Sequence, residues 1–216
     1  MHWPYPAEAV QALLPEGLEI DLFDGSAWVG LVPFVLVVGG VPGFGGFPET
    51  NVRTYVRGPD RDTGVWFFSL DAARLAAVVG ARLSFGLPYF WSRMRARREN
   101  GAIAYESRRR VGAAAWLRAE VEPGESIVAT NFDDYLTARF RLFSVFRGGL
   151  ASAWVEHVPW PLRTARVLKL EQNLVQAAGL PVAEGQPIVH YSEGVEVRVG
   201  TVERISGSVY RTDAAR

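Results

Sequence analysis

The stretch SFGLPYFWSRM, Ser84–Met94, decides how this chain is read. The run before it, DAARLAAVVGARL, is small and apolar and predicts a helix beginning near Asp71, capped by Ser69 or Asp71. Gly86 and Pro88 stop that helix. Three aromatics follow, Tyr89, Phe90 and Trp91, and lead into an arginine-rich strand. Asn100-Gly101 then marks a two-residue turn whose central residues need positive φ. That turn fixes a hairpin of residues 91–98 and 102–109. Its register sets Arg97 opposite Ala104, Arg95 opposite Glu106 and Arg93 opposite Arg108 on one face. Met94, Ala96, Ile103 and Tyr105 fall on the other. The first face should be wet and the second buried.

Working outward, the chain reads as strands with short helices between them. Residues 6–14 form a short helix with Pro6 in its first turn. LEIDLF alternates as a strand before the turn Asp24-Gly25. AWVGLVPFVLVV is a long apolar strand bent at Pro33, and ETNVRTYVR and GVWFFSLD flank the turn GPDRDT. AAAWLRAEV is a strand and NFDDYLTARF a short capped helix. RLFSVFR and LASAWVEHV make a second hairpin about Gly148-Gly149. ARVLKLEQN, the helix LVQAAGL closed by Gly179, and GVEVRVG complete the pattern. The class is α+β: a mostly antiparallel curled sheet forming a cone or barrel around a central cavity, with a few short helices. Residues 1–205 read as a single domain and residues 206–216 as a frayed, disordered tail.

Composition removes several function classes. The formal net charge is +0, so there is no whole-protein basic field for nucleic acid. The arginine face of the hairpin is the local exception, but no exposed aromatics interleave it for base stacking. No cysteine is present, which excludes disulfides, thiolate metal sites and a cysteine nucleophile. The span Ala27–Pro48 carries no charge, yet its clustered Gly and Pro would leave backbone groups unpaired in lipid. It reads as a buried strand and a glycine-rich loop, with a cytoplasmic protein as the expectation. His2, His157 and His190 are isolated in sequence, read as one exposed and two interface histidines, and predict no metal site. No cofactor is expected. GGVPGFGG lacks the lysine and the following helix of a phosphate loop, leaving a flap or a plain connector. Ser69 lacks the flanking glycines of a nucleophile elbow.

The polar set that stands out is ETNVRTYV. Alternation places Glu49, Asn51, Arg53 and Tyr55 on one face and Thr50, Val52, Thr54 and Val56 on the other. A buried Arg53 needs a carboxylate or a bound anion. Two readings follow: a clamp for a ligand carboxylate, or a structural ion pair with Glu49 as the nearest partner on that face.

ALLPEGLEIDLFDGSAWVGLVPF, FPETNVRTYV, GVWFFSLDA, FGLPYFWSRM, VPWPL and GVEVRV together resemble the YqjF-like family, a domain of unknown function, from His2 to about Ile205. That resemblance implies a further strand's worth of residues ahead of His2. The family is in turn similar to the acetoacetate decarboxylase fold, a cone around a central cavity. Decarboxylases of that kind use a Schiff-base lysine and a second lysine in a Gly-Tyr/Phe-Pro-Lys-Lys segment. The matching segment here is GLPYF, with Tyr89 and Phe90 at the two lysine positions. An imine needs a primary amine, and the chain's one lysine, Lys169, lies on another strand. The resemblance implies that Glu49 keeps an acidic position of the decarboxylases, that a second acid is replaced near Gly30, and that a substrate-holding arginine precedes the matched region.

The expectation is therefore a small-molecule-binding protein or lysine-independent enzyme, with acid–base chemistry on a small carboxylic or keto acid if it catalyses. Glu49 and Tyr89 would move the proton. Asn51, Arg53, Tyr55, Ser69, Phe90 and Arg93 would contact the ligand. The alternative is a non-catalytic, oligomeric interaction or structural protein that kept the fold. Neither nucleic acid nor membrane is expected as a partner, and a homo-oligomer is.

Overall fold

The computed structural model describes residues 1–39 and 45–205. The centre of the glycine-rich loop and the expected frayed tail lie outside the described residues. In chain order the elements are β1 (His2–Tyr5), α1 (Ala7–Gln11), β2 (Glu19–Ile20), β3 (Ala27–Leu36), β4 (Phe47–Arg57) and β5 (Thr63–Ala72). Next come α2 (Leu75–Phe85), β6 (Tyr89–Glu99), β7 (Ala102–Arg109), β8 (Trp116–Ser126) and α3 (Asn131–Thr137). The remainder are β9 (Arg141–Phe146), β10 (Gly149–His157), β11 (Leu162–Gln172), α4 (Leu174–Ala177), β12 (His190–Ser192), β13 (Val197–Val199) and β14 (Glu203–Arg204).

All described strands join one curled sheet, whose main path runs β1-β3-β4-β5-β6-β7-β8-β11-β12. Pairing is antiparallel except where β5 meets β6 and β9, both in parallel. The connection from β5 to β6 is α2, the helix crossover that a parallel pair requires. The fold class read from the pattern is the one observed: strands dominate, helices are short, and the sheet curls into a half-barrel.

Both faces of the β3–β4–β5 region are covered. Val29, Leu31 and Val52 pack with Trp3, Leu117, Ala119, Leu174 and Val175 on one side. Phe47, Tyr55, Leu70 and Tyr89 pack with Val78 of α2 and Leu136 of α3 on the other. The polar set of β4 is therefore interior on either face, and Glu49, Thr50, Asn51, Thr54 and Tyr55 are all buried.

The turn chemistry performs as its residues dictate. Asn100 and Gly101 take φ of 51° and 83°, and the β6–β7 register is Arg93↔Arg108, Arg95↔Glu106 and Arg97↔Ala104. Those arginines are exposed, while Ile103 is buried and Met94 half-buried. One premise about this face is corrected: Trp116, paired with Arg108, adds an aromatic that is 38% exposed. Acids balance the row beside it, which runs Arg95, Glu106, Arg118, Glu171 across four strands.

The second hairpin turns one residue earlier than expected. Arg147 and Gly148 carry the positive φ, and Gly149 pairs with Phe146 inside β10. Neither Ser69 nor Asp71 caps α2. Both lie in β5, and the helix starts at Leu75 behind Arg74, which makes no side-chain cap. The segment 69–72 pairs fully with β4, and those ladder hydrogen bonds outcompete a cap.

Gly86 ends α2 in the left-handed conformation, with φ of 65°, and a Cβ there would lie 2.2 Å from the carbonyl oxygen of Val145. Gly86→Ala combines a strained φ with a backbone clash. It is expected to cost about 2–4 kcal/mol, read as a fall in the urea midpoint with the m-value unchanged.

Candidate functional site

Glu49 enters through β4, directly opposite Ala72 of β5 and Phe34 of β3. Its carboxyl is buried, and the Tyr89 hydroxyl donates to it, with 3.1 Å to each oxygen. No cation pairs with it among the described residues. Burial pushes its pKa from 4.5 up to about 8, partly offset by the Tyr89 hydrogen bond and helped by the charge of Asp71. Glu49 is therefore mostly protonated at neutral pH, and the pair can both donate and accept a proton. Burial, then the neighbouring carboxylate, raises the Tyr89 phenol as well.

The Asp71 charge comes from the opposite face of the same strands, since Asp71 pairs with Thr50 and Phe90, the sequence neighbours of Glu49 and Tyr89. There it forms a bidentate pair with Arg109, at 2.9 and 2.7 Å, and accepts from the Ser92 hydroxyl. The Arg109 guanidinium stacks on Phe90, 3.7 Å from its ring centroid. Phe90 is thus part of a structural ion-pair cluster and faces away from Tyr89. Arg82 of α2 donates to the Tyr89 carbonyl at 2.6 Å, which pins the aromatic segment beneath that helix.

Asn51 follows Glu49 on the shared face; it is buried, and its Oδ1 has no hydrogen-bond partner. Arg53 comes next and, among the described residues, pairs with no carboxylate: its Nη2 donates to the Leu136 carbonyl at 3.1 Å and its buried Nε finds no acceptor. The structural pairing weighed for Arg53 and Glu49 is not made. Tyr55 completes the set, its hydroxyl 2.9 Å from His2 Nε2. Ser69 is buried, but it pairs with Val52 and lies on the other face. Arg93 is exposed on β6, opposite Arg108, and does not join this set. Lys169 is half-exposed on β11 and bonds Glu171 at 3.2 Å, so it stands apart from this site.

Histidines that looked isolated come together here. None of the three is exposed: His157 and His190 are half-buried, and His2 is buried and pairs through its backbone with Ile188 on one side and Gly30 on the other. Gly30 in turn pairs with Arg53, so the His2 and Arg53 side chains meet over the glycine. A Cβ at Gly30 would lie 2.9 Å from the His2 ring and 3.4 Å from Arg53 Cγ. His190 lies two residues beyond Ile188, on the same face by alternation and near enough for its charge to act on His2. Its Nε2 is 3.0 Å from Asp133 Oδ1. Asp133 is held by the capping box of α3, in which the Thr130 amide and hydroxyl both donate to Oδ2, at 2.8 and 2.7 Å. Burial would raise that carboxyl, but the Thr130 bonds and His190 hold it below its ordinary value. No sequence spacing announces His2 and His190; the signal available was Gly30, a glycine inside a long strand. His157 is half-buried and stacks on Phe140, away from both. Two clefts of about 280 Å³ open elsewhere, one beside Trp3, Leu170 and Gln176, the other beside Pro59, Arg141 and Arg204.

The comparisons with known proteins agree with this architecture. A model of the DUF2071 family, described as an uncharacterized conserved protein, matches residues 1–196. The uncharacterized protein YqjF of Bacillus subtilis (strain 168) is 35% identical over 205 residues, 91% of this chain and 84% of that one. A solved acetoacetate decarboxylase superimposes with a TM-score of 0.68 at 15% identity, covering 95% of this chain and 84% of that one. The enduracididine biosynthesis enzyme MppR, solved in complex with pyruvate, gives 0.61 at 15% identity, covering 93% and 83%. At those identities the two structures speak for the fold alone.

Proposed function

This chain belongs to the DUF2071 family, and on that premise we propose that it is a small-molecule-binding protein, or an enzyme that works without a Schiff-base lysine, with Glu49 and Tyr89 as its proton-transfer centre. One observation carries this reading: a buried carboxyl without a cation, held at both oxygens by one tyrosine hydroxyl. Such a pair serves acid–base chemistry near neutral pH better than it serves stability. Asn51, next along the face with an unpartnered carbonyl oxygen, would take a donor from the ligand. A small carboxylic or keto acid is the class to test. Activity in the structural neighbours belongs to those proteins and enters here only as the reason for that choice.

The test is a thermal-shift panel of such acids. A hit at a hundredfold excess over its dissociation constant stabilises by about 2.7 kcal/mol, roughly 5–10 °C for a chain of this size. Glu49→Gln and Tyr89→Phe should abolish the shift. A shift that survives both substitutions would overturn the assignment. The competing reading, a non-catalytic interaction protein, draws support from Leu75, Val79 and Leu83, which leave an apolar stripe of α2 exposed. Silence across the panel together with self-association in light scattering would favour it.

A further inference from the structure

Arg57, Arg109, Arg139 and Arg141 each reach an aspartate: Asp21, Asp71, Asp21 and Asp62 respectively. Arg53 is the contrast. The residue is half-buried, its Nε is shut off from solvent without an acceptor, and its guanidinium donates to a neutral carbonyl, that of Leu136. An interior cation left so is costly unless something absent from the chain itself completes it. Around it the other buried polar atoms are incomplete too. His2 Nδ1 and His190 Nδ1 lack partners, while the Nε2 atoms of the same rings are engaged by Tyr55 and Asp133. Register brings the His2 and Arg53 side chains together over Gly30, whose missing Cβ leaves space for the His2 ring, and His190 is near enough for its charge to act on His2.

We propose that Arg53, His2 and His190 form a site for a small carboxylate, which binds with uptake of one proton. The site goes beyond the Glu49–Tyr89 reading and stands without it, because four residues of extended chain separate Arg53 from Glu49 by roughly 13 Å. With Tyr55 donating to His2 Nε2, the neutral His2 ring carries its proton on Nδ1 and offers it to the carboxylate, as Arg53 offers Nε. His190 is different. Its Nε2–H donates to Asp133, so in the neutral ring Nδ1 is a lone pair that would repel a carboxylate. The ring must therefore take a proton as the anion arrives, or the acid must bring one. The groups that bear on this proton are Asp133 from α3, His2 from β1 with the Met1 α-amino group just ahead of it, and Arg53 and Tyr55 from β4. Arg139 lies over the Tyr55 ring, 5.1 Å from its centroid. Burial holds both histidines below their ordinary values, and the Met1 amine is pushed down to about 5. The empty site is thus mostly uncharged at neutral pH apart from Arg53 and Asp133, and an anion supplies the drive for protonation.

The experiment is a titration of the full chain with sodium acetate at constant ionic strength, with chloride as the control, following imidazole nitrogens by long-range proton–nitrogen correlation. The expected result is a saturable shift of His2 Nδ1 and His190 Nδ1, with an affinity that tightens towards tenfold per pH unit as pH falls from 8 to 6. Arg53→Lys keeps the charge but loses the fork and should weaken binding at least tenfold. Gly30→Ala, which crowds the His2 ring, should do the same. Nitrogen shifts that stay put, or that move equally with chloride, would overturn the site in the native protein whether or not either variant folds. An affinity independent of pH would overturn the coupled proton. Run in an Arg53→Ala background, the thermal-shift variants at Glu49 and Tyr89 report on the other end of β4 alone, so failure of either reading leaves the other testable.

Discussion

Glu49→Gln is expected to remove a loss of stability that the native protein shows between about pH 5 and pH 8. The folded carboxyl titrates near 8 and the unfolded one near 4.5, so between those values the folded state holds the extra proton. Stability therefore falls as pH rises through this window, the reverse of an ordinary salt-bridged carboxylate. Each pKa unit corresponds to about 1.4 kcal/mol, so the full loss is on the order of 4–5 kcal/mol. Gln copies the shape of the protonated acid and can still accept from Tyr89. The variant should match the native protein near pH 5 and melt roughly 10 °C higher near pH 9. Parallel melting curves for the two proteins from pH 5 to 9 would contradict a neutral, buried Glu49.

The second large effect is expected behind that site. Arg109→Met leaves Asp71 wholly buried, with the Ser92 hydroxyl as its remaining side-chain donor. Breaking one partner of a buried pair costs about 3–5 kcal/mol, because the surviving charge has lost its compensation. The stacking of Arg109 on Phe90 goes with it. The double replacement Asp71→Leu with Arg109→Met removes both charges and should recover most of the loss. Chemical denaturation of the three variants decides this: a single variant costing under 1 kcal/mol, or a double no better than the single, would show that the pair is incidental. Because Asp71 also raises the Glu49 pKa, the double variant should shift the pH window of Glu49 downwards.

How much of this was written in the sequence depends on the range of the interaction concerned. Asn100-Gly101 dictates a local turn, and the register of β6 and β7 follows residue for residue. NFDDYLTARF likewise reads as a short capped helix, and α3 forms there behind the Thr130–Asp133 capping box. Signals that need a distant partner were invisible. Pro4 masked β1, whose strand character comes from pairing with β3 and with Ile188. Ser69 looked like a cap because its residue type favours one, while its ladder with β4 was not legible. Alternation along ETNVRTYV did place Glu49, Asn51, Arg53 and Tyr55 on one face, and the GLPYF segment did bring Tyr89 to it. His2 and His190 are separated by nearly the whole chain and meet only through the sheet edge, which composition and spacing do not encode.

That edge pairing has a bearing on synthesis. His2 exchanges both backbone hydrogen bonds with Ile188, at 2.8 and 2.9 Å, so during synthesis β1 waits for a segment that follows it only after most of the fold has been made. At ordinary elongation rates the delay is roughly 10–40 s. Through that interval the apolar residues of β1 and β3 lack part of their final cover, and a nascent chain halted before residue 188 would hold Glu49 and Tyr89 but not the histidine pair. Translational pausing between β11 and Ile188 would therefore prolong the exposure of this unfinished sheet edge to chaperone capture.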